Sequence, residues 1–178
     1  MKRLYLFILL AAISQLSIAQ ETNEELKSYH KFSLVMSNCH VPDGISDGNK
    51  QWLVLSAWGI DYDFGINSKW AIGIHTDIVL ENYVVNSMSA EENVIERSFP
   101  ITISSVAMYK PKEHLSFILG PGIETAKEED LYLILAGLEY GWELEKDWEI
   151  SLSLTNEFKV DKYNSWAFGI GISKLIFK

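Results

Sequence analysis

Apolar and polar residues alternate along most of this chain with a period of two, which is the period of a strand and not of a helix. Between Trp52 and Phe64, the even-numbered positions are mostly large and aromatic, whereas the odd-numbered positions are smaller or acidic. Because a strand directs alternate side chains to opposite faces, this pattern predicts a strand with two unlike faces.

The same alternation predicts eight strands, at 30–38, 52–64, 70–81, 99–109, 115–124, 131–143, 148–159 and 166–173. The connections between them are longer at 40–50, 81–98, 125–130 and 159–165, and short at 65–69, 110–114 and 145–147. Long and short connections therefore fall at opposite ends of an antiparallel array. This organisation predicts an all-β fold, an eight-stranded antiparallel up-and-down transmembrane β-barrel, with short periplasmic turns and longer loops outside.

The first nineteen residues have the organisation of a cleaved secretory signal peptide. Lys2 and Arg3 precede an apolar stretch at 4–13, and Ser17 and Ala19 provide the small residues of a cleavage site. The apolar stretch is too short to cross a bilayer as a helix. We therefore expect a signal peptide at 1–19, a short polar segment at 20–28 and a barrel domain at 29–178.

Charge and cysteine content exclude several classes of function. The chain has 15 basic and 24 acidic residues, and such an acidic balance argues against binding of nucleic acid. Cys39 is the only cysteine, so an internal disulfide is impossible and a small apolar filler is the simplest interpretation. The Asp- and Asn-containing loop at 40–50 lacks the spacing of a calcium loop, and we expect neither a metal nor a cofactor.

Aromatic residues make up 12% of the chain, and in a lipid-embedded barrel they are expected at the two headgroup levels. Near the short turns are Tyr62, Phe64, Trp70, Tyr109, Phe117, Tyr140, Trp142 and Trp148, and near the long loops are Trp52, Tyr83, Phe99, Tyr132, Phe158 and Trp166. The alternative is a soluble, exported, lipocalin-like barrel that turns its large residues inward around a ligand. Glycines on the face of small residues favour the membrane barrel, because a narrow lumen has little room for side chains.

These features resemble the small outer-membrane β-barrel proteins of Gram-negative bacteria, especially those of the Bacteroidetes type. The resemblance covers about 29–178 and includes a terminal amphipathic strand that ends Leu175-Ile176-Phe177-Lys178. It implies insertion into outer-membrane lipid and recognition of a C-terminal aromatic residue, here Phe177, by the barrel-insertion machinery. Phe177 lies out of phase with Phe168, so we expect a bulge near Ser173 and Lys174 that turns it toward lipid.

The inward faces collect titratable residues in a small lumen. They are Asp61, Asp63, His75, Asp77, Glu81, Glu124, Glu139, Glu143, Glu149 and Glu157, with Lys31, Lys159 and, beyond the bulge, Lys174 as partners. Charges removed from bulk water need partners, so we expect a hydrated ionic plug. A narrow cation-preferring channel is the alternative.

His75, Asp77 and Asp61 are the only candidates for catalysis. A histidine beside two carboxylates resembles a general base with an orienting group, and a lipid-modifying barrel enzyme is the corresponding alternative. No serine is placed as a nucleophile, so we expect no catalytic activity. The sequence favours a structural or surface-interaction role, with an extracellular partner of unknown identity at the long loops.

Overall fold

The computed structural model describes residues 28–88 and 94–177. Its strands are β1 (Tyr29–Ser46), β2 (Asn49–Gly65), β3 (Trp70–Val79), β4 (Asn82–Asn86), β5 (Val94–Ser98), β6 (Ile101–Lys112), β7 (Leu115–Thr125), β8 (Asp130–Glu143), β9 (Trp148–Lys159) and β10 (Asn164–Phe177). A single 3₁₀ turn at Glu145–Asp147 joins β8 to β9. The signal peptide expected at 1–19 and most of the polar segment at 20–28 lie outside the described residues.

Eight of these strands form a closed antiparallel barrel in the order β1-β2-β3-β6-β7-β8-β9-β10. The ring closes because β10 pairs with β1 in one unbroken register, from Tyr29 opposite Phe177 to His40 opposite Trp166. The predicted eight-stranded antiparallel barrel is confirmed. In the described part of the chain, no helix is long and apolar enough to span a membrane.

The large apolar residues are on the outside of the barrel. On β2, Trp58 and Ile60 are exposed whereas Leu55 and Ala57 are buried. The same is true all round the wall, where the exposed residues include Leu34, Met36, Ile72, Ile74, Ile103, Leu119, Ile134, Leu138, Leu154 and Ile170. A lipocalin-like barrel would turn these large residues inward, so the lipocalin-like alternative is wrong about which face is inside.

Two rows of aromatic residues border this apolar wall. Phe99 and Tyr109, Tyr132 and Trp142, and Trp148 and Phe158 are each ten residues apart along the chain, and all six are exposed. A tilted strand crosses the hydrocarbon core of a bilayer in about ten residues. The two rows are therefore separated by the length of strand that crosses the hydrocarbon core once.

The connections at the end of the barrel that holds the expected long loops, which we call the outer end, differ from the prediction. The expected loop at 40–50 is mostly strand, because β1 continues to Ser46 and β2 begins at Asn49. Asp47 and Gly48 form the two-residue turn, with φ of 51° and 74°. Positive φ at both positions is the geometry of a type I′ hairpin, for which Asp-Gly is a favoured sequence.

The expected loop at 81–98 contains a second hairpin, β4–β5. Val84 and Val85 of β4 pair with Ile45 and Gly44 at the end of β1, beyond the last residue of β1 that pairs with β10. The hairpin packs Tyr83, Val85 and Ile95 into an apolar cluster with Val41, Leu55 and Tyr163. It thereby caps the outer end of the lumen.

The bulge expected near Ser173 and Lys174 is absent. The pairing of β10 with β1 and with β9 runs through these residues without a shift, so Leu175 points inward and is buried. Phe177 lies on the same inward face of β10 as Leu175. It is at the barrel mouth, where its ring centroid is 6.2 Å from that of Tyr29. Its expected place on the lipid face is therefore wrong.

Candidate functional site

The titratable residues in the lumen form two networks. The first is centred on Lys31, whose ammonium lies 2.7 Å from a Glu139 oxygen and 2.5 Å from a Glu149 oxygen. Lys31 is 1% exposed, so the lysine and both carboxylates are removed from bulk water together. Gly141 makes room for this arrangement, because a Cβ there would lie 2.7 Å from the carboxyl carbon of Glu149.

His75 extends this inner network toward the middle of the barrel. Its Nε2 lies 3.0 Å from Asp63 Oδ1, and its Nδ1 lies 4.0 Å from Asp61 Oδ2. Asp61 also accepts the backbone N–H of Thr76 at 3.0 Å. Asp77, expected to orient His75, instead accepts a hydrogen bond from Ser37 at 3.4 Å. The catalytic arrangement expected of His75, Asp77 and Asp61 therefore does not form as predicted.

The second network lies under the β4–β5 cap. Lys159 donates to Glu157 and to Ser165, both at 2.6 Å, and its Nζ is 3.2 Å from Glu124. Arg97, which is fully buried, places its guanidinium 2.6 Å from Glu124. The outer end of the lumen is thus closed by two cations that share one carboxylate.

Two tyrosines complete this outer network. The Tyr163 hydroxyl lies 2.9 Å from both oxygens of Glu124 and 2.7 Å from the Tyr83 hydroxyl. Burial, with Tyr163 and Glu124 close by, raises the pKa of Tyr83 well above its ordinary range, and burial beside Glu124 does the same for Tyr163. Both phenols are therefore neutral hydrogen-bonding groups under ordinary conditions.

A small cavity separates the two networks. Its volume is about 50 Å³, and its lining includes His75, Asp61 and Asp77 from one side and Glu157 from the other. A single water needs about 10–15 Å³ of such space, so the cavity holds a few waters at most. The lumen is a packed ionic interior with a small hydrated centre.

Several predicted lumen residues lie elsewhere. Glu143 is exposed at the barrel mouth beside the short turns, and Glu81 is exposed after the end of β3. Lys174 points outward, where it pairs with Asp147 at 3.5 Å, donates to the Lys146 carbonyl and lies over the Trp148 ring. Because the bulge is absent, Lys174 keeps the outward parity of Ile172, and its assignment to the lumen is wrong.

The expected interface aromatics occupy the outer wall, with Phe177 and Tyr83 as the exceptions. Trp52, Trp70, Tyr109, Tyr140, Trp142, Trp148 and Trp166 are exposed, and Tyr62 and Phe64 are half-buried against His30 and Phe32. Tyr83 is 6% exposed and points into the lumen. The sequence pattern did not identify Arg97 and Tyr163 as lumen residues. For Arg97 a signal existed, because residues 94–97 alternate in the way of a short strand, with Ile95 and Arg97 on its buried face.

Comparison with known proteins finds solved structures of similar fold but no protein family of similar sequence. No protein-family model matches the chain, and no curated protein sequence matches it. The crystal structure of Ail, the attachment invasion locus protein of Yersinia pestis, in complex with the heparin analogue sucrose octasulfate has a TM-score of 0.52 at 15% identity, covering 83% of this chain and 99% of that chain.

The crystal structure of the outer membrane protein OprG from Pseudomonas aeruginosa has a TM-score of 0.53 at 13% identity, covering 85% of this chain and 96% of that chain. This chain has the fold of an outer-membrane β-barrel. At these identities the likeness concerns the fold alone.

Proposed function

We propose that the chain is exported by its signal peptide and inserted into the outer membrane of a Gram-negative bacterium as a closed barrel with a structural or surface-interaction role. The observation that carries this proposal is the apolar outer wall, bordered by aromatic rows one bilayer crossing apart. A continuous apolar belt of this kind is unusual on a soluble monomer. The fold shared with Ail and OprG supports the same location.

The packed lumen favours a barrel that does not conduct. Lys31 with its two carboxylates blocks the inner half, and Lys159 and Arg97 on Glu124 block the outer half. Eight-stranded lumens are normally filled by side chains in this way. The narrow cation-preferring channel requires a continuous water path, which a cavity of about 50 Å³ does not provide.

The geometry around His75 also supports a role without catalysis. His75 and its carboxylates reach only the central cavity, whereas a lipid substrate approaches from the outer wall. The fold therefore separates the candidate base from any acyl chain. Loss of lipid A deacylation or acyl transfer by the purified chain on substitution of His75 by Ala would establish the enzymatic alternative instead.

The outer end of the barrel is the surface we propose for interaction. The exposed Lys50 pairs with Asp43, and the half-buried Lys162 pairs with Glu129, so these two basic groups are already neutralised. The remaining acidic residues include Asp47, Glu96, Glu128, Asp130 and Asp161. This surface differs in charge from one suited to a polysulfate such as the ligand of the Ail complex, and we infer that its partner presents basic groups.

We also propose that the barrel-insertion machinery recognises the last strand, β10. The outward residues of β10 are Trp166, Phe168, Ile170, Ile172, Lys174 and Ile176. Apart from Lys174, these residues form an apolar, partly aromatic face that is available to that machinery. In this strand Ile176, and not Phe177, holds the last outward apolar position.

Fractionation of cells that express the chain, followed by planar-bilayer recording of the purified barrel, tests this function. We expect the chain in the outer-membrane fraction and a conductance equal to the lipid baseline. Recovery in the soluble periplasmic fraction would contradict the location. Discrete cation-selective steps that disappear in a preparation without the protein would contradict the closed lumen.

A further inference from the structure

The short-turn end of the barrel contains a vestibule that the proposed function does not use. Its volume is about 460 Å³, within the range of small-ligand pockets. The lining comes from the β2–β3 turn, the β6–β7 turn and the ends of β1, β8, β9 and β10, and it includes Lys69, Lys110, Lys112, Glu143 and Phe177. The Lys31–Glu149 ion pair closes it toward the lumen.

One wall of this vestibule is basic. Lys69 lies in the β2–β3 turn, and Lys110 and Lys112 lie at the end of β6, which is held beside that turn because the Lys110 N–H donates to the Lys69 carbonyl at 2.7 Å. Among the described residues, no carboxylate lies within ion-pairing distance of these three ammonium groups. Glu113, next to Lys112, also lines the vestibule, so three lysines against one glutamate leave this wall with a net positive charge.

The opposite wall is acidic. β8 lies four strands from β2 in either direction round the ring of eight, which places Glu143 across from the β2 end and Lys69, and two strands from β6, whose end holds Lys110 and Lys112. Glu143 is exposed and has no ion-pair partner within the described part of the chain. The vestibule is therefore polarised, with ammonium groups on one side and a carboxylate on the other.

Between the two walls, the vestibule offers an apolar surface and one unused hydroxyl. Leu175 and Phe177 of β10 form the apolar surface. Tyr29 is 7% exposed, and its hydroxyl has no hydrogen-bond partner among the residues described. Its ring lies under the Lys110 ammonium, 4.7 Å from Nζ to the ring centroid. A buried hydroxyl without a partner is uncommon, and it fits a position that a ligand satisfies.

We propose that this vestibule binds a short zwitterionic peptide. The peptide places its carboxylate against Lys69, Lys110 and Lys112, its ammonium group against Glu143, and an apolar side chain against Leu175 and Phe177. Tyr29 supplies a hydrogen bond to the bound peptide. The proposal needs only the folded barrel, and it does not depend on the partner at the outer end.

The test is isothermal titration of the folded, detergent-solubilised chain with the tripeptide lysyl-leucyl-glutamate, and with two reference peptides that each lack one sign of charge. These are acetyl-glycyl-leucyl-glutamate and lysyl-leucyl-glycinamide. We expect the zwitterion to bind at least about tenfold more tightly than either reference. Equal affinity for the acidic reference would overturn the proposal in favour of simple attraction of anions, and absence of binding by all three would overturn it outright.

Variants separate the vestibule from the general charge of the protein. Lys110→Gln with Lys112→Gln is expected to weaken binding of the zwitterion by about tenfold. Lys50→Gln with Lys127→Gln makes the same change in net charge at the opposite end and is expected to leave binding unchanged. Equal weakening by both pairs would contradict a local site.

Tyr29→Phe tests the hydroxyl alone. We expect it to weaken binding several-fold while leaving heat-modifiable migration intact, since the hydroxyl makes no hydrogen bond within the described chain. Unchanged binding would remove Tyr29 from the site. A barrel that remains heat-modifiable yet binds no peptide refutes this inference and leaves the proposed outer-membrane barrel standing.

Discussion

Arg97 is the residue on which the outer closure of the lumen depends most. It is fully buried, and it contacts Glu124 through its Nε at 2.8 Å and the Glu129 carbonyl through Nη1 at 2.8 Å. The pair links the β4–β5 hairpin to the end of β7. Removal of one member of a buried pair leaves the other charge under-compensated, which is usually costly.

We expect Arg97→Ala to lower the free energy of unfolding by about 3 kcal/mol. Urea unfolding in lipid vesicles, followed by tryptophan fluorescence, measures it. Lys50→Ala is the matched control, because it removes an exposed pair with Asp43 that is worth about 0–1 kcal/mol. Similar small losses in both variants would show that Arg97 does not hold the hairpin.

Tyr83 and Tyr163 make the outer closure sensitive to alkaline pH. Their folded pKa values lie above the ordinary value of 10.0, because burial and neighbouring acidic groups oppose ionisation. Their contribution to stability is therefore complete below pH 10 and declines as the pH rises above it. We expect two tyrosines to ionise late in a near-ultraviolet titration of the phenolate absorbance.

The double variant Tyr83→Phe with Tyr163→Phe is the control for this titration. It should lose the late-ionising fraction and keep the rest of the curve. A wild-type curve that overlays that of the double variant, after scaling for tyrosine content, would contradict the buried network.

The sequence predicts which lumen residues point inward but not which of them meet. Strand parity alone places Lys31, Asp63 and Glu139 inside. The contact between Lys31 and Glu139 joins residues 108 positions apart, and it depends on how the closed ring staggers its strands. A bulge would turn Lys174 into the lumen, but the regular pairing of β10 keeps it outside.

Among the elements, the β1–β2 hairpin shows how composition misleads. Pro42, Asp43 and Gly44 favour a loop, and a register shift between Val41 and Gly44 interrupts the alternation there. The strands nevertheless continue, because pairing resumes after the shift and the Asp47-Gly48 turn closes the hairpin. The Asp-Gly pair was the stronger signal, since it specifies a turn geometry.

The contact between β6 and β7 depends on Gly120. A Cβ added at this position would collide with the backbone carbonyl of Ser105 and lie 2.8 Å from the Val106 Cα. We expect Gly120→Ala to lower the free energy of unfolding by about 1–3 kcal/mol, because backbone atoms cannot move aside cheaply. Urea unfolding in lipid vesicles measures the loss.

Gly171→Ala is the matched control, since its nearest neighbour is the movable Ser151 hydroxyl, at 2.6 Å. This change should cost less than Gly120→Ala. The reverse order would show that the close approach of β6 and β7 does not limit the side chain at 120.

For the whole molecule, the number of barrel strands and the presence of two unlike faces followed from the alternation, and the glycines on the small-residue face indicated which face is inside. Each barrel strand repeats the same pattern. An error in the predicted bounds of one strand therefore changes neither the number of barrel strands nor the identity of the outer face. The cap was not predictable in this way, because β4 and β5 are short and their packing depends on the end of β1. Alternation separates the two faces of each barrel strand, whereas the cap depends on contacts between distant segments.

The outer wall also predicts how the molecule responds to charge. Leu138 is exposed midway between Tyr132 and Trp142, so we expect Leu138→Arg to cost about 2–4 kcal/mol of folding free energy in a bilayer. Val160→Arg, at an equally exposed site in the β9–β10 loop outside the belt, should cost close to nothing. Reversible unfolding from lipid vesicles compares them, and equal costs would show that the belt is not in lipid.

The central claim is that this chain folds as a barrel embedded in the outer membrane. Its most direct test is electrophoresis in SDS of the chain extracted from the outer-membrane fraction, with and without boiling. A folded lipid-embedded barrel resists SDS until it is boiled, so we predict a shift in migration between the two samples. A chain that shows no shift, and stays soluble and monomeric without detergent, would contradict the account.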